Sequence, residues 1–280
     1  MLITRRRVLG ASAAVVATSA AVGLYSWLIE PHWLEIVRRP LPIRGLPDAL
    51  RGHTLAQLSD IHVGPRVAET YVTETFERVT ALSPDIVVYT GDFVSYSADV
   101  YTQAARVYAE APHGRLATFG ILGNHDYGPN WSHPEVAARL TSQLEAAGIH
   151  ILRNDVAEVG GLQVAGMDEL WAHRFDPVRT LATLDAGRPS LVLSHNPDTV
   201  DRPGWDSYHG WVLSGHTHGG QCKPPFLAPP LLPVENHRYT SGVFDLTGDR
   251  MLYINRGVGH LLQLRFNVRP EVTLFELQPA

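Results

Sequence analysis

The chain has 280 residues, 45% of them hydrophobic and 18% charged, with a formal net charge of −5. That is enough for one sizeable core, as one large domain or two small ones. The acidic balance excludes a general nucleic-acid binder, which needs a basic footprint, but not a phosphorylated substrate, because bound cations would dominate the local field.

The N-terminus reads Thr4-Arg5-Arg6-Arg7-Val8-Leu9-Gly10, followed by a charge-free run over 8–29. A polar residue, paired arginines and a weakly hydrophobic Ala/Gly-rich stretch are the pattern of a twin-arginine export signal. The export machinery is therefore one expected partner. The run is long enough to span a bilayer. Small residues at Ser19-Ala20-Ala21 give only a weak cleavage site, so release and retention as a membrane anchor both stand. Positive charge on the near side places the body outside the cytoplasmic membrane, facing the periplasm or cell wall. Residues 1–29 thus form a signal or anchor. A Pro-rich lead-in follows over 30–52 (Pro31, Pro40, Pro42, Pro47), extended and poor in helix. The folded domain is expected over 53–280.

Within that domain, strand and helix alternate. Residues 54–59 read as a short apolar strand, 68–82 as a helix, and 85–90 as a β-branched strand. Helix over 100–110, strand over 116–122 and helix over 134–147 complete a βαβ series around a buried sheet. The second half holds more strand: 150–153, 156–159, 162–167, 191–193, 211–213, 251–254 and 272–277, with a helix at 177–184. Residues 221–237 hold five prolines and read as an irregular loop, and loops of that length in compact domains are often functional.

Five strand-like runs end directly in polar clusters. These are Asp60-Ile61-His62, Gly91-Asp92, Gly123-Asn124-His125-Asp126, Ser194-His195-Asn196-Pro197-Asp198 and Gly215-His216-Thr217-His218. In open α/β sheets, sites form at the carboxyl ends of strands, so five such ends on one edge would bring the clusters together. Each cluster alone is weak; the ordered set is not.

The set resembles the calcineurin-like metallophosphoesterases, whose pattern runs Asp-x-His, Gly-Asp, Gly-Asn-His-Asp/Glu, His, Gly-His-x-His. The match covers about residues 54–278. The paired Arg, Glu30-Pro31-His32-Trp33 and the tail residues Arg256-Gly257-Val258-Gly259 and Leu264-Arg265-Phe266 are similar to the exported bacterial branch, whose members are phosphodiesterase-like. The resemblance implies an α/β fold, a four-layer α/β/β/α sandwich of two mixed sheets flanked by helices. It implies two divalent metal ions: one on Asp60, His62, Asp92 and His218, the other on Asp92, Asn124, His195 and His216, with Asp92 bridging. His125 would face the substrate phosphate and protonate the leaving group, and Asp126 would orient His125. The donors are nitrogen and oxygen without thiolate, which suits Mn, Zn or Fe. The implied reaction is hydrolysis of phosphoesters, above all phosphodiesters, by a metal-bridging hydroxide at the cell envelope. A lipid-linked or sugar-nucleotide pyrophosphate is the alternative substrate. A non-catalytic binding module is the alternative of another class, although such relatives lose ligands or the Asn-His pair, and here all remain. The protein is expected to act as a monomer without a stable nucleic-acid partner.

Other residues carry less signal. His53, His113, His133, His150 and His209 read as surface or core residues. His173 is a candidate substrate contact, Asn255 and Arg256 candidate phosphate contacts. Cys222, the only cysteine, permits no intrachain disulfide and reads as a plain small residue near the site. Trp27 and Trp33 flank the apolar segment and suit either a membrane interface or ordinary packing.

Overall fold

The computed structural model describes residues 5–97, 100–206 and 208–280. Thr4 of the arginine signal lies outside the described residues. Two six-stranded sheets stack face to face. The first is ordered β1 (Glu35–Ile43), β12 (Glu271–Pro279), β2 (Thr54–Leu58), β3 (Ile86–Thr90), β4 (Ala117–Ile121), β5 (His150–Ile151). The second is ordered β10 (Gly242–Leu246), β11 (Arg250–Ile254), β9 (Trp211–Ser214), β8 (Ser190–Leu193), β7 (Leu162–Gly166), β6 (Asp155–Val159). Both are mixed: β12 runs antiparallel to β2, β10 to β11 and β6 to β7, while the central pairs are parallel.

Strand alternation divides the core into three layers. Leu55, Ile86, Val88, Phe119 and Phe275 of the first sheet meet Val164, Leu191, Leu193, Leu213 and Tyr253 of the second between the sheets. Ala56, Leu58, Val87 and Tyr89 face outward onto α2 (Glu69–Ala81), α3 (Val100–Tyr108) and α4 (Pro134–Ala146). Ala165, Val192, Val212 and Leu252 face the other way, under Trp205, Tyr208 and Leu181 of α5 (Pro177–Ala182). This is the expected four-layer α/β/β/α sandwich. Leu191 is fully buried between the sheets. Leu191→Ala is expected to destabilise the fold by about 2–5 kcal/mol, read from the shift of a denaturant midpoint.

Two strands differ from the sequence reading. The Pro-rich lead-in supplies β1, which pairs in parallel along all of β12, from Glu35↔Glu271 to Ile43↔Pro279. The fold therefore shows no boundary at residue 53. Pro40 and Pro42 are tolerated because β1 is an edge strand, where a missing N–H breaks no ladder on the open side. β10 was not expected either; it is half-exposed and carries Asp245, so its apolar signal is weak.

Before β1, α1 (Arg5–Leu24) continues through short helical turns to His32. Leu9–His32 is long and apolar enough to cross a membrane, and almost none of it is buried against the rest of the protein.

Candidate metal centre

The carboxyl ends of β2, β3, β4, β8 and β9 converge, and the seven proposed ligands meet there. Parallel β2, β3 and β4 present Asp60 and His62, Asp92, and Asn124 from the first sheet. Parallel β8 and β9 present His195, His216 and His218 from the second. The halves are stapled beneath the site. Gln57 Nε2 donates to Thr90 Oγ1 at 3.0 Å and across the sheets to the Ser214 carbonyl at 3.0 Å. The His216 amide donates to both Asp60 carboxylate oxygens at 3.0 Å.

Two triads of metal-competent side chains result, Asp60/His62/His218 and Asp92/His195/His216, all buried. In the first, His62 Nε2 faces His218 Nε2 at 3.1 Å, and His218 Nε2 lies 3.3 Å from Asp60 Oδ1. In the second, His195 Nε2 lies 3.2 Å from both Asn124 Oδ1 and His216 Nδ1. Asp92 Oδ2 joins them, 3.5 Å from His62 Nε2 and 3.3 Å from His195 Nε2.

Backbone strain is concentrated at this junction. Asp60, His62, Asp92, His216 and His218 have φ of 51°, 55°, 54°, 70° and 49°. Such left-handed conformations cost about 1–3 kcal/mol each and persist only where the surroundings enforce them. Gly123 is required by close approach: a Cβ there would lie 2.8 Å from Asp92 Cγ. Gly123→Ala is expected to leave a folded protein whose metal affinity is about 10–100-fold weaker, measured by metal titration.

Partners behind the ligands fix which ring nitrogen points inward. A carbonyl oxygen only accepts, so His195 Nδ1–H donates to Thr90 O at 2.7 Å, turning Nε2 to the centre. His216 Nε2–H donates to Pro233 O at 2.7 Å, leaving Nδ1 inward. His62 Nδ1 pairs with Ser95 Oγ at 3.0 Å. Hydrogen bonds of this kind are the ones that orient a histidine for metal ligation. Buried Arg265 donates to the carbonyls of Arg256, Gly257 and Gly259 and pins the segment that packs behind His218.

The electrostatics favour a cation. Burial raises the Asp60 carboxyl to about 6; His195 opposes the rise and Asp92 adds to it. Burial drives His62 and His216 down to about 3. His195 moves the other way: burial lowers it, but Asp92, Asp60 and Glu169 carry it up to about 10. His62 and His216 are thus held neutral, their ring nitrogens 3.1 Å and 3.2 Å from neighbouring histidines around clustered carboxylates, a nitrogen and oxygen donor set that fits divalent cations.

His125 stands at the edge of this pocket rather than in either triad. Its amide donates to Asp92 Oδ1 at 2.9 Å, and its ring meets His62 edge-on with centroids 5.1 Å apart. It lines a groove of about 340 Å³ with Arg66, Ser95, Tyr96, Trp131 and Leu261. Asp126 is a correction. Its carboxylate accepts from the amides of Gly123 at 2.8 Å and Val94 at 3.1 Å, and no hydrogen bond to the His125 ring is found among the described residues. It staples the β3 and β4 loops, a demand any buried carboxylate flanked by free amides meets first.

Arg256 is also spoken for: it pairs with Glu35 at 2.9 Å and with Glu271, so it ties β1 to β12 instead of reaching substrate. Asn255 is buried and donates to Thr273 Oγ1 at 2.9 Å. His173 is exposed, and neither it nor His53, His113, His133, His150 or His209 belongs to a triad. Cys222 pairs by its backbone with Phe266, outside both triads. Sequence reading missed Trp171, whose ring packs edge-on against His216 and tilted against Trp131, both at 4.5 Å between centroids. It also missed Glu169, buried, with one carboxylate oxygen lacking a partner and its carboxyl raised by burial to about 7. The only signal was position: Glu169 and Trp171 follow the end of β7 as the recognised clusters follow theirs.

Residues 53–220 match the family model described as calcineurin-like phosphoesterase. The chain is 34% identical to Phosphodiesterase YaeI of Escherichia coli (strain K12) across 99% of its length and 100% of that protein. The chain belongs to the calcineurin-like phosphoesterases. This phosphoesterase is a metal-dependent phosphoester hydrolase. It is also 31% identical to the uncharacterized metallophosphoesterase YkuE of Bacillus subtilis (strain 168), covering 96% of this chain and 94% of that one. With the UDP-2,3-diacylglucosamine pyrophosphatase LpxG of Chlamydia trachomatis it shares 26% identity over 93% of this chain and 95% of that one.

Proposed function

We propose that this phosphoesterase hydrolyses phosphodiesters at the cell envelope with two divalent ions, one held by Asp60, His62, Asp92 and His218 and the other by Asp92, Asn124, His195 and His216. The observation that carries the reading is Asp92 Oδ2, one oxygen within 3.5 Å of a histidine from each triad. When bound, the ions supply Lewis acidity and a nucleophile at neutral pH. The protein's own groups do the rest. Thr90 O and Pro233 O hold His195 and His216 in the ligating tautomer. His125, which lines the groove, donates to the phosphoryl oxygens and delivers a proton to the leaving oxygen. Trp131 lines the groove, and Trp171 packs against both it and His216. Similarity to a protein named as a phosphodiesterase supports the diester class. The Arg5-Arg6 pair ahead of an apolar helix supports export through the twin-arginine machinery and placement outside the cytoplasmic membrane.

A lipid-linked phosphoester or pyrophosphate is the second reading, favoured by α1 and by the likeness to a protein named as a UDP-diacylglucosamine pyrophosphatase. Chelation is expected to abolish turnover. Restoring Mn, Zn, Fe and Mg singly, with a diester, a monoester and a lipid-linked pyrophosphate as substrates, then identifies metal and class. Activity that survives chelation sinks the mechanism, and monoesters turning over much faster than diesters sinks the diester reading.

A further inference from the structure

The loop between β9 and β10 has a surface that the metal chemistry does not explain. Residues 224–233 read Pro-Pro-Phe-Leu-Ala-Pro-Pro-Leu-Leu-Pro, without one charged or hydrogen-bonding side chain. Phe226 is fully exposed, Leu231 is 75% exposed and Leu227 65%. Contiguous exposed apolar surface of this kind marks an interaction site. Its place in the fold identifies the partner. The loop is tied through Phe266 to the end of α1. Lys223 N donates to Phe266 O and Phe266 N to Gln221 O, both at 2.9 Å. One residue back, Arg265 N donates to Ser26 O at 3.0 Å, and Gln263 Nε2 donates to Trp27 O at 3.1 Å. Gln221 Nε2 also holds the carbonyls of Leu262 and Leu264 at 3.1 Å, and Leu262 is exposed. Exposed Trp27, Leu28, Ile29 and Trp33 lie at the same end of α1, and Arg269 stacks 3.8 Å over the Trp33 ring. Aromatic and basic residues at the end of an apolar helix are the usual inhabitants of the bilayer interface.

We infer that the Pro-rich loop and Leu262 form a second membrane contact, which lays the phosphoesterase against the bilayer surface with its catalytic groove beside the headgroups. The inference rests on α1 being retained in the membrane. Composition fits the task. Irregular backbone is costly in lipid because its amides go unpaired, and five prolines in ten residues remove half of those donors. A loop whose backbone is only partly hydrogen-bonded, through Pro224 O, Leu232 O and Pro233 O, suits interfacial depth, not the hydrocarbon centre. The groove is adjacent: Leu261, next to Leu262, lines it together with His125, and Pro233 O holds His216. Phosphoesters carried by lipid would then enter without leaving the membrane.

The full chain reconstituted in lipid nanodiscs tests this with an environment-sensitive fluorophore on a single introduced cysteine, in a Cys222→Ser background. Leu227→Cys and Leu262→Cys are the two reporting variants, and Val178→Cys, exposed on α5, is the reference. Expected are blue-shifted emission and quenching by chain-labelled lipid at 227 and 262, and neither at 178. Water-like emission at both 227 and 262, equal to that at 178, overturns the inference. Turnover of a soluble diester checks that each variant is folded, and the fluorescence readout stands whatever the substrate proves to be.

Discussion

Asp92→Asn is expected to lower turnover by about a thousandfold or more and to weaken both metal positions together. The carboxylate contributes charge to each triad, and its Oδ2 stands between His62 and His195. An amide of the same size keeps one oxygen but loses the negative charge that offsets two cations. A thousandfold corresponds to about 4 kcal/mol in the barrier, a plausible share for a group that holds the whole centre. Metal content and turnover should fall in parallel. A variant that keeps two tightly bound ions and near-normal rates would refute the bridging role. His62→Ala, by contrast, removes a ligand from one triad only and serves as the comparison.

His125→Ala is expected to retain both ions while losing about 10²–10⁴-fold in turnover, the range for a positioned proton donor. The ring belongs to neither triad, yet it lines the groove and abuts His62. Its backbone amide, which holds Asp92 Oδ1, survives the substitution, so ligand geometry should not change. Metal analysis beside steady-state kinetics separates the outcomes. Full activity removes His125 from the mechanism, whereas loss of metal would make it a structural support of the centre.

Much of the site was legible because its chemistry is local in sequence. Asp60 and His62, or His216 and His218, are close neighbours at strand ends, so alternation and turn residues place them together. What was not legible depends on packing between distant segments. Trp131 and Trp171 come from loops after β4 and β7 and meet only when the two sheets stack. Asp126 was misassigned because adjacency to His125 in sequence says nothing about which free amides lie nearest its carboxylate. Arg256 looked available beside a strand end, but the acids that claim it, Glu35 and Glu271, lie on β1 and β12. β1 itself was hidden by prolines that an edge position tolerates.

The parallel pairing of β1 with β12 also sets an order of events. Residues 35–43 have no neighbour in the first sheet other than residues 271–279, which slot between them and β2. During synthesis the segment just after α1 must therefore stay unzipped until nearly the whole domain has been made, since contacts so remote in sequence form late. Until then α1 is joined to the nascent domain only by an unpaired strap. Zipping the strap draws the helix end onto the finished body, so the geometry couples completion of the fold to the seating of that apolar helix.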